Sequence, residues 1–412
     1  MIETDFIEAL DAEREISFSA DAPAAARTID GKWLSDALTS RAKCAIRIEG
    51  ATITGLDIHS ITVGCTLLLK NCSMEGIVAD YCTFNEWLAL KECSVDVLRF
   101  RGCLFKRALW IRNSTVARQV DLGYATIDRD LNLDDTHISG DCYAVGLRVG
   151  SDLNARFARF DSDLNLGLSE VTGQLDFNGS VVQGQVTLVD ATLGGLTGRG
   201  TTLVGPASFD RVAVESTCFL NATTFCSSAY FAASRFEGQF AIEDSIFESD
   251  AFFEGLVAND VFARNCVFRG EVSMIGAAVF SATFDGSNFL KAARLHDTRT
   301  EAGLSFSGVQ FDGACQFDRI QVKATLQFAP IDGKQTTFAG KLSLAGAHIG
   351  AQLNFHEVIF ADYVTLEALD VGAGLFMTDC RLVDNLVIIA SHIKGNAEFT
   401  GSRFGGELTN AL

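Results

Sequence analysis

Apolar residues recur every eleven positions through most of this chain, and that period constrains the fold more than any other feature of the sequence. The stretch "NCSMEGIVADYCTFNEWLALKECSVDVLRFRGCLF", residues 71–105, introduces it with cysteines at 72, 82, 93 and 103. Two places after each cysteine stand Met74, Phe84, Val95 and Phe105, and the series continues as Val116, Ile127, Ile138, Val149, Phe160, Val171, Val182 and Leu193. It resumes as Phe338, Ile349, Phe360, Val371, Leu382, Ile393 and Phe404. Within one period apolar or small residues fall in pairs with a single residue between them, as in Leu353/Phe355 and Val358/Phe360. Side chains alternate faces along a strand, so each pair is a short strand with two inward residues and one outward residue. Pairs repeating after five and then six residues require a bend at each interval, and two periods close a coil of about 22 residues with four sides. The prediction is an all-β fold: a right-handed parallel quadrilateral β-helix of roughly sixteen coils, about 80 Å long at ~4.8 Å per coil. Leucine-rich repeats and propeller blades need longer units and do not tolerate a strict eleven.

The cysteines belong to this pattern. Their column continues as Ser114, Ala125 and Thr136 and later as Cys266 and Cys380, so cysteine serves as a small buryable side chain beside a large one. Cysteines one coil apart could geometrically bridge, but the Ser, Ala and Thr continuation predicts free, slowly reacting thiols. Cys44, Cys65 and Cys226 are expected to react faster. No C-x-x-C pair exists, and the four thiols do not converge on one point.

Small-then-large pairs such as those in "ADYCTF", "DATL" and "TGSRF" resemble the pentapeptide-repeat proteins, which implies a right-handed quadrilateral β-helix. The 22-residue coil departs from that family's 20. "RIEGATITGLDIHSITVGCTLLLKNCSM" and "GKLSLAGAHIGAQLNF" are similar to bacterial β-helical proteins with G-x-L-x-L-x-G-A-x-I repeats. The resemblance spans about 360 residues and is informative about fold.

Residues 1–43 lack the period and read as a partly helical cap, with "TDFIEALDAE" and "DGKWLSDALTSRA" as its helices. Such a cap would cover the first coil. The β-helix is assigned to 44–412, with an irregular insertion near 329–337 around Pro330 and Gly333. The last rung, with Phe399 and Phe404, carries no comparable polar cover, and a homodimer through this end is expected.

Only 3 prolines stand against 37 glycines and 32 phenylalanines, which suits short strands joined by tight corners. No apolar run is long enough to span a membrane, so no membrane insertion is expected. The absence of a leader-like start points to a cytoplasmic protein. A net charge of −19 argues against direct nucleic-acid binding.

Motifs for nucleotide binding, metal hydrolysis or nucleophilic catalysis are absent, and no cofactor is expected. His137, His348 and His392 each sit between inward residues and point outward. Asp128 and Asp130, Asp161 and Asp163, and Asp152 one coil beyond Asp130, mark acidic corners that read as a solvated face, with a calcium-type site as the alternative. The near-constant spacing leaves no long loops to build a cleft, so no enzyme is predicted.

One patch departs from the acidic balance. Residues 91–118 hold seven basic residues against two acidic, while 121–135 hold five acidic against one basic. Trp110 lies between inward Leu109 and Ile111 and must face out, Trp87 sits at the preceding corner, and Lys70, Lys91 and Arg112 share an outward column beside them. Exposed tryptophan beside cations is the composition of a binding hot spot. The favoured function is a protein-interaction or scaffold role on the outer faces of a rod. The alternatives are an acidic DNA mimic directed at a type II topoisomerase, which follows from the family resemblance, and a polysaccharide-acting enzyme.

Overall fold

The computed structural model is an all-β parallel β-solenoid of about 17 turns with roughly 22 residues per turn and 6% helix. It describes residues 1–19, 21–41 and 44–411. Ala42 and Lys43, at the expected edge of the cap, and Leu412 lie outside the described residues. The chain divides into two compact units, 1–205 and 206–412.

In the first unit four parallel ladders run through each coil. Leu67 lies opposite Leu88 and Leu88 opposite Leu109 in one; Met74 opposite Val95 and Val95 opposite Val116 in the next. Ile77, Leu98, Val120 and Cys142 align in the third, and Phe84, Phe105, Ile127 and Val149 in the fourth. All of these side chains are buried, and the residues between them face outward.

The corners explain the period. Asn71, Tyr81, Glu92, Asn113, Tyr124 and Asp135 all take left-handed backbone conformations with φ between 50 and 57°, and Gly102 and Gly146 do so in the same series. Each immediately precedes an inward residue, which is small in every case but Leu147. The left-handed residue turns the chain and the next side chain enters the core; where it is Cys, Ser or Thr it can donate to a carbonyl of the preceding coil. Cys72 Sγ donates to Ile48 O (3.5 Å), Cys93 Sγ to Leu69 O (3.4 Å), Ser169 Oγ to Ala144 O (2.9 Å) and Ser180 Oγ to Ala155 O (2.5 Å). A buried hydroxyl or thiol needs an acceptor and finds one in this carbonyl, so Cys, Ser and Thr are accommodated in the column beside apolar Ala125.

The amino-terminal segment does more than cap. Glu3–Asp11, Ala24–Arg27 and Gly31–Ser40 are helical, but Ile16–Ser17 pairs with Ile48–Glu49 and Thr28–Ile29 with Thr52–Ile53. The segment therefore supplies strands to two ladders while Phe6, Leu10, Leu34 and Leu38 bury its helices. Cys44 and Cys65, expected as reactive thiols, are joined as a disulfide with their Cα atoms 4.6 Å apart, because they occupy equivalent places on adjacent coils. Cys72, Cys82, Cys93 and Cys103 are buried free thiols, and Cys226 is exposed.

The second unit repeats the scheme with a heavier filling. Phe225, Phe247, Phe268, Phe289, Phe311, Phe338 and Phe360 form one continuous stack, with successive ring centroids 4.5 to 5.3 Å apart. Opposed residues step by 21 or 22 until Gln310, which lies opposite Thr337, a step of 27. The extra residues form the turn in which Ile331 and Lys334 bridge.

Candidate interaction surface

Strand alternation places the basic patch of the first unit. On the ladder Thr66–Lys70, Leu88–Lys91 and Leu109–Arg112, Leu68, Ala89 and Trp110 are opposed, as are Lys70, Lys91 and Arg112. Trp87 precedes the second strand, and its ring centroid lies 4.7 Å from that of Trp110 in an edge contact at 65°. Both indoles are half-buried. Leu68, Ala89, Trp110, Lys70, Lys91 and Arg112 line a shallow hollow of about 410 Å³ with an apolar floor and a cationic rim.

The three cations differ in availability. Lys70 Nζ is 2.7 Å from Glu49 Oε1, a hydrogen bond and charge pairing that raise the Lys70 pKa. Lys91 is 3.4 Å from Glu92. Arg112 is exposed and has no ion-pair partner among the described residues. A guanidinium offers forked donors to a carboxylate, and a neighbouring indole adds area and a π face. The arrangement suits an acidic group carried on an apolar segment. Leu68 and Ala89, which form its floor, were legible from the same alternation but were not singled out in the sequence.

The other sequence candidates fall elsewhere. Phe399 and Phe404 are half-buried in the second unit, with ring centroids 6.1 Å apart. His348 and His392 flank Asp370 on three consecutive coils, and His348 Nδ1 lies 2.8 Å from Asp370 Oδ2. His137 Nε2 lies 2.6 Å from Asp161 Oδ2. The acidic corners are internal caps: Asp130 Oδ1 accepts from the Asp152 amide (3.4 Å), Asp152 Oδ1 from the Gln174 amide (2.8 Å) and Asp163 Oδ1 from the Gln185 amide (2.8 Å). Among the described residues no three His, Cys, Asp or Glu side chains gather closely enough to hold a metal ion. No helix among them is long and apolar enough to cross a membrane.

No protein-family profile, curated protein or solved structure matches the chain. The fold defines the class: a repeat protein of the parallel β-solenoid kind.

Proposed function

We propose that the protein is a non-enzymatic interaction scaffold that binds an acidic protein segment on the face formed by Trp87, Trp110, Lys70, Lys91 and Arg112. The observation that carries this reading is a hollow lined by Trp110, Lys70, Lys91 and Arg112, with the Trp87 indole packed edge-on against Trp110, on a chain of net charge −19. Aromatic and Arg anchors dominate binding energy at protein interfaces. The small-then-large pairs shared with pentapeptide-repeat proteins agree with a scaffold.

The DNA-mimic alternative is less favoured, because many acids are neutralised by arginines on the next coil. Examples are Asp80 with Arg99, Asp134 with Arg156, Glu243 with Arg264 and Asp297 with Arg319. Mimicry needs uninterrupted negative stripes. Self-association through Phe399 and Phe404 is a second part of the proposal.

The test is cross-linked capture from the native cell with wild type, Trp110→Ala and Lys91→Glu, each checked by circular dichroism. A specific acidic protein retained by wild type and lost from both variants supports the assignment. Equal capture by all three refutes the face.

A further inference from the structure

We infer that Cys72–Cys93 and Cys82–Cys103 are two further disulfide sites, closed when the chain folds in contact with a disulfide oxidant. Together with Cys44–Cys65 they staple the coil 65–85 to the coil on either side of it. These sites lie in the core of the first unit and are independent of the tryptophan face.

The three pairs share one geometry. Each cysteine immediately precedes a strand: Cys44 and Cys65 precede Ala45–Glu49 and Thr66–Lys70, Cys72 and Cys93 precede Ser73–Asp80 and Ser94–Arg99, and Cys82 and Cys103 precede Thr83–Phe84 and Leu104–Phe105. In each pair the two members stand 21 residues apart. The residues that follow them are opposed, Ala45 with Thr66, Ser73 with Ser94 and Thr83 with Leu104. In all three, the amide after the second cysteine donates to the carbonyl of the first: Thr66 to Cys44 O at 2.9 Å, Ser94 to Cys72 O at 2.8 Å and Leu104 to Cys82 O at 2.9 Å. One of these frames already holds a bridge, with its Cα atoms 4.6 Å apart. The others set their Cα atoms one coil apart, about 4.8 Å, inside the range that a disulfide spans.

The sulfurs are also in contact. The Cys93 thiol donates a hydrogen bond to Cys72, and the Cys103 thiol donates one to Cys82. Those bonds lower the Cys72 pKa and bring Cys82 down to about 6, while Cys93 and Cys103 are raised. Each pair therefore holds one sulfur that ionises ahead of its neighbour, and the thiolate is the form that attacks a disulfide. Neither volume nor hydrogen bonding requires cysteine at these corners, since Ser169 and Ser180 fill equivalent ones and answer carbonyls as well. Cys142, Cys218, Cys226, Cys266, Cys315 and Cys380 include no two separated by one coil. Pairing of cysteines is confined to the first coils, where it serves something that serine does not.

The chemistry is thiol–disulfide exchange. The Cys72 thiolate attacks one sulfur of a small disulfide such as glutathione disulfide, breaking its S–S bond and releasing one thiolate. Cys93, deprotonated in turn, attacks the Cys72 sulfur of the mixed disulfide, forms the Cys72–Cys93 bond and releases the second thiolate. The two protons lost by the cysteines go to the released thiolates, so two protein thiols are oxidised as one oxidant is reduced to two thiols. Cys82 and Cys103 follow the same course. All four sulfurs are buried in the closed solenoid. The oxidant therefore reaches them while the coils are open, during folding or when the end coils unzip. Closed coils shield the thiols from reaction and, once the bridges have formed, shield these from reduction.

The experiment refolds the reduced, unfolded 412-residue chain in reduced glutathione alone and in a mixture of reduced and oxidised glutathione. Free thiols are then alkylated, and linked peptides are mapped by mass spectrometry without reduction. The oxidised sample is expected to contain Cys44–Cys65, Cys72–Cys93 and Cys82–Cys103, with the remaining cysteines alkylated. Amides of residues 66–105 should exchange at least about tenfold more slowly in it than in the reduced sample. The double variant Cys72→Ser/Cys93→Ser should lose the Cys72–Cys93 peptide and part of that protection while keeping the other two links. Circular dichroism establishes that each sample is folded. If oxidised refolding aggregates, folded reduced protein held with glutathione disulfide in guanidinium below its unfolding midpoint supplies the same map. Cys44–Cys65 as the sole linkage overturns the inference, as does a mixture in which Cys72–Cys82 or Cys93–Cys103 links are as abundant as the proposed ones.

Discussion

Replacing Phe289 tests whether the phenylalanine stack stabilises the second unit beyond its buried area. The ring is fully enclosed, lies 4.8 Å from Phe268 and 4.9 Å from Phe311 at interplanar angles of 18°, and meets Phe284 at 5.9 Å. Truncation to alanine removes the buried ring and leaves a cavity, a loss of about 3–5 kcal/mol. Leucine keeps most of the apolar area and already occupies the same column at Leu382. Phe289→Leu therefore isolates the two stacked pairs, each worth about 0.5–1.5 kcal/mol, and should cost about 1–3 kcal/mol. Solenoids unfold through neighbouring coils, so the readout is hydrogen exchange of amides in coils 267–311 alongside guanidinium denaturation. The Phe268→Leu/Phe289→Leu cycle should give a coupling of about 0.5–1.5 kcal/mol. A Phe289→Leu variant indistinguishable from wild type, or strictly additive single changes, would show that the rings stack only because the coils do.

Asp134 and Asp176 flank Arg156, at 2.6 and 4.0 Å. Their pKa values move in opposite directions. Burial acts to raise Asp134, but hydrogen bonds from the Arg156 side chain and amide and from Asn132 outweigh it and hold the carboxyl below its ordinary value. Its contribution is present above the ordinary carboxylate range and is lost as pH falls through the lowered value. Asp134→Asn should therefore cost about 1–3 kcal/mol at neutral pH and progressively less in acid. Burial raises Asp176, so its charge is a penalty at neutral pH, and Asp176→Asn should be neutral or stabilising there with no benefit in acid. Denaturation curves of both variants between pH 3 and 7 check the signs, and parallel slopes would refute the assignment. Burial pushes the Cys142 thiol up to about 12 and also raises Cys218, whereas Cys226 is exposed. Alkylation of the native protein followed by peptide mass spectrometry should modify Cys226 first, and early labelling of Cys142 would remove it from the core. For self-association, Phe404→Asp should lower the sedimentation coefficient of wild type without altering the circular-dichroism spectrum. A wild type that stays monomeric at high concentration would exclude this contact.

The period of eleven was enough to establish the solenoid, because strand alternation and coil closure leave a mark on every inward position. It also placed Trp110 outside and put Lys70, Lys91 and Arg112 in one column, since residues one coil apart in sequence must stack. The features that escaped depend on groups about two dozen residues apart or on backbone angles. Nothing local shows that Ser180 answers the carbonyl of Ala155, that Asp152 caps the amide of Gln174, or that Ile16 and Thr28 pair with the first coils. The Cys44–Cys65 bridge was geometrically allowed by the coil repeat, but so was bridging of Cys72 with Cys93, and only the tertiary structure separates them. The corner tyrosines were the least legible of all. A left-handed backbone is signalled by Gly or Asn, and Tyr81 and Tyr124 adopt it only because the closing coil imposes it and a glycine on the next coil makes room for the ring.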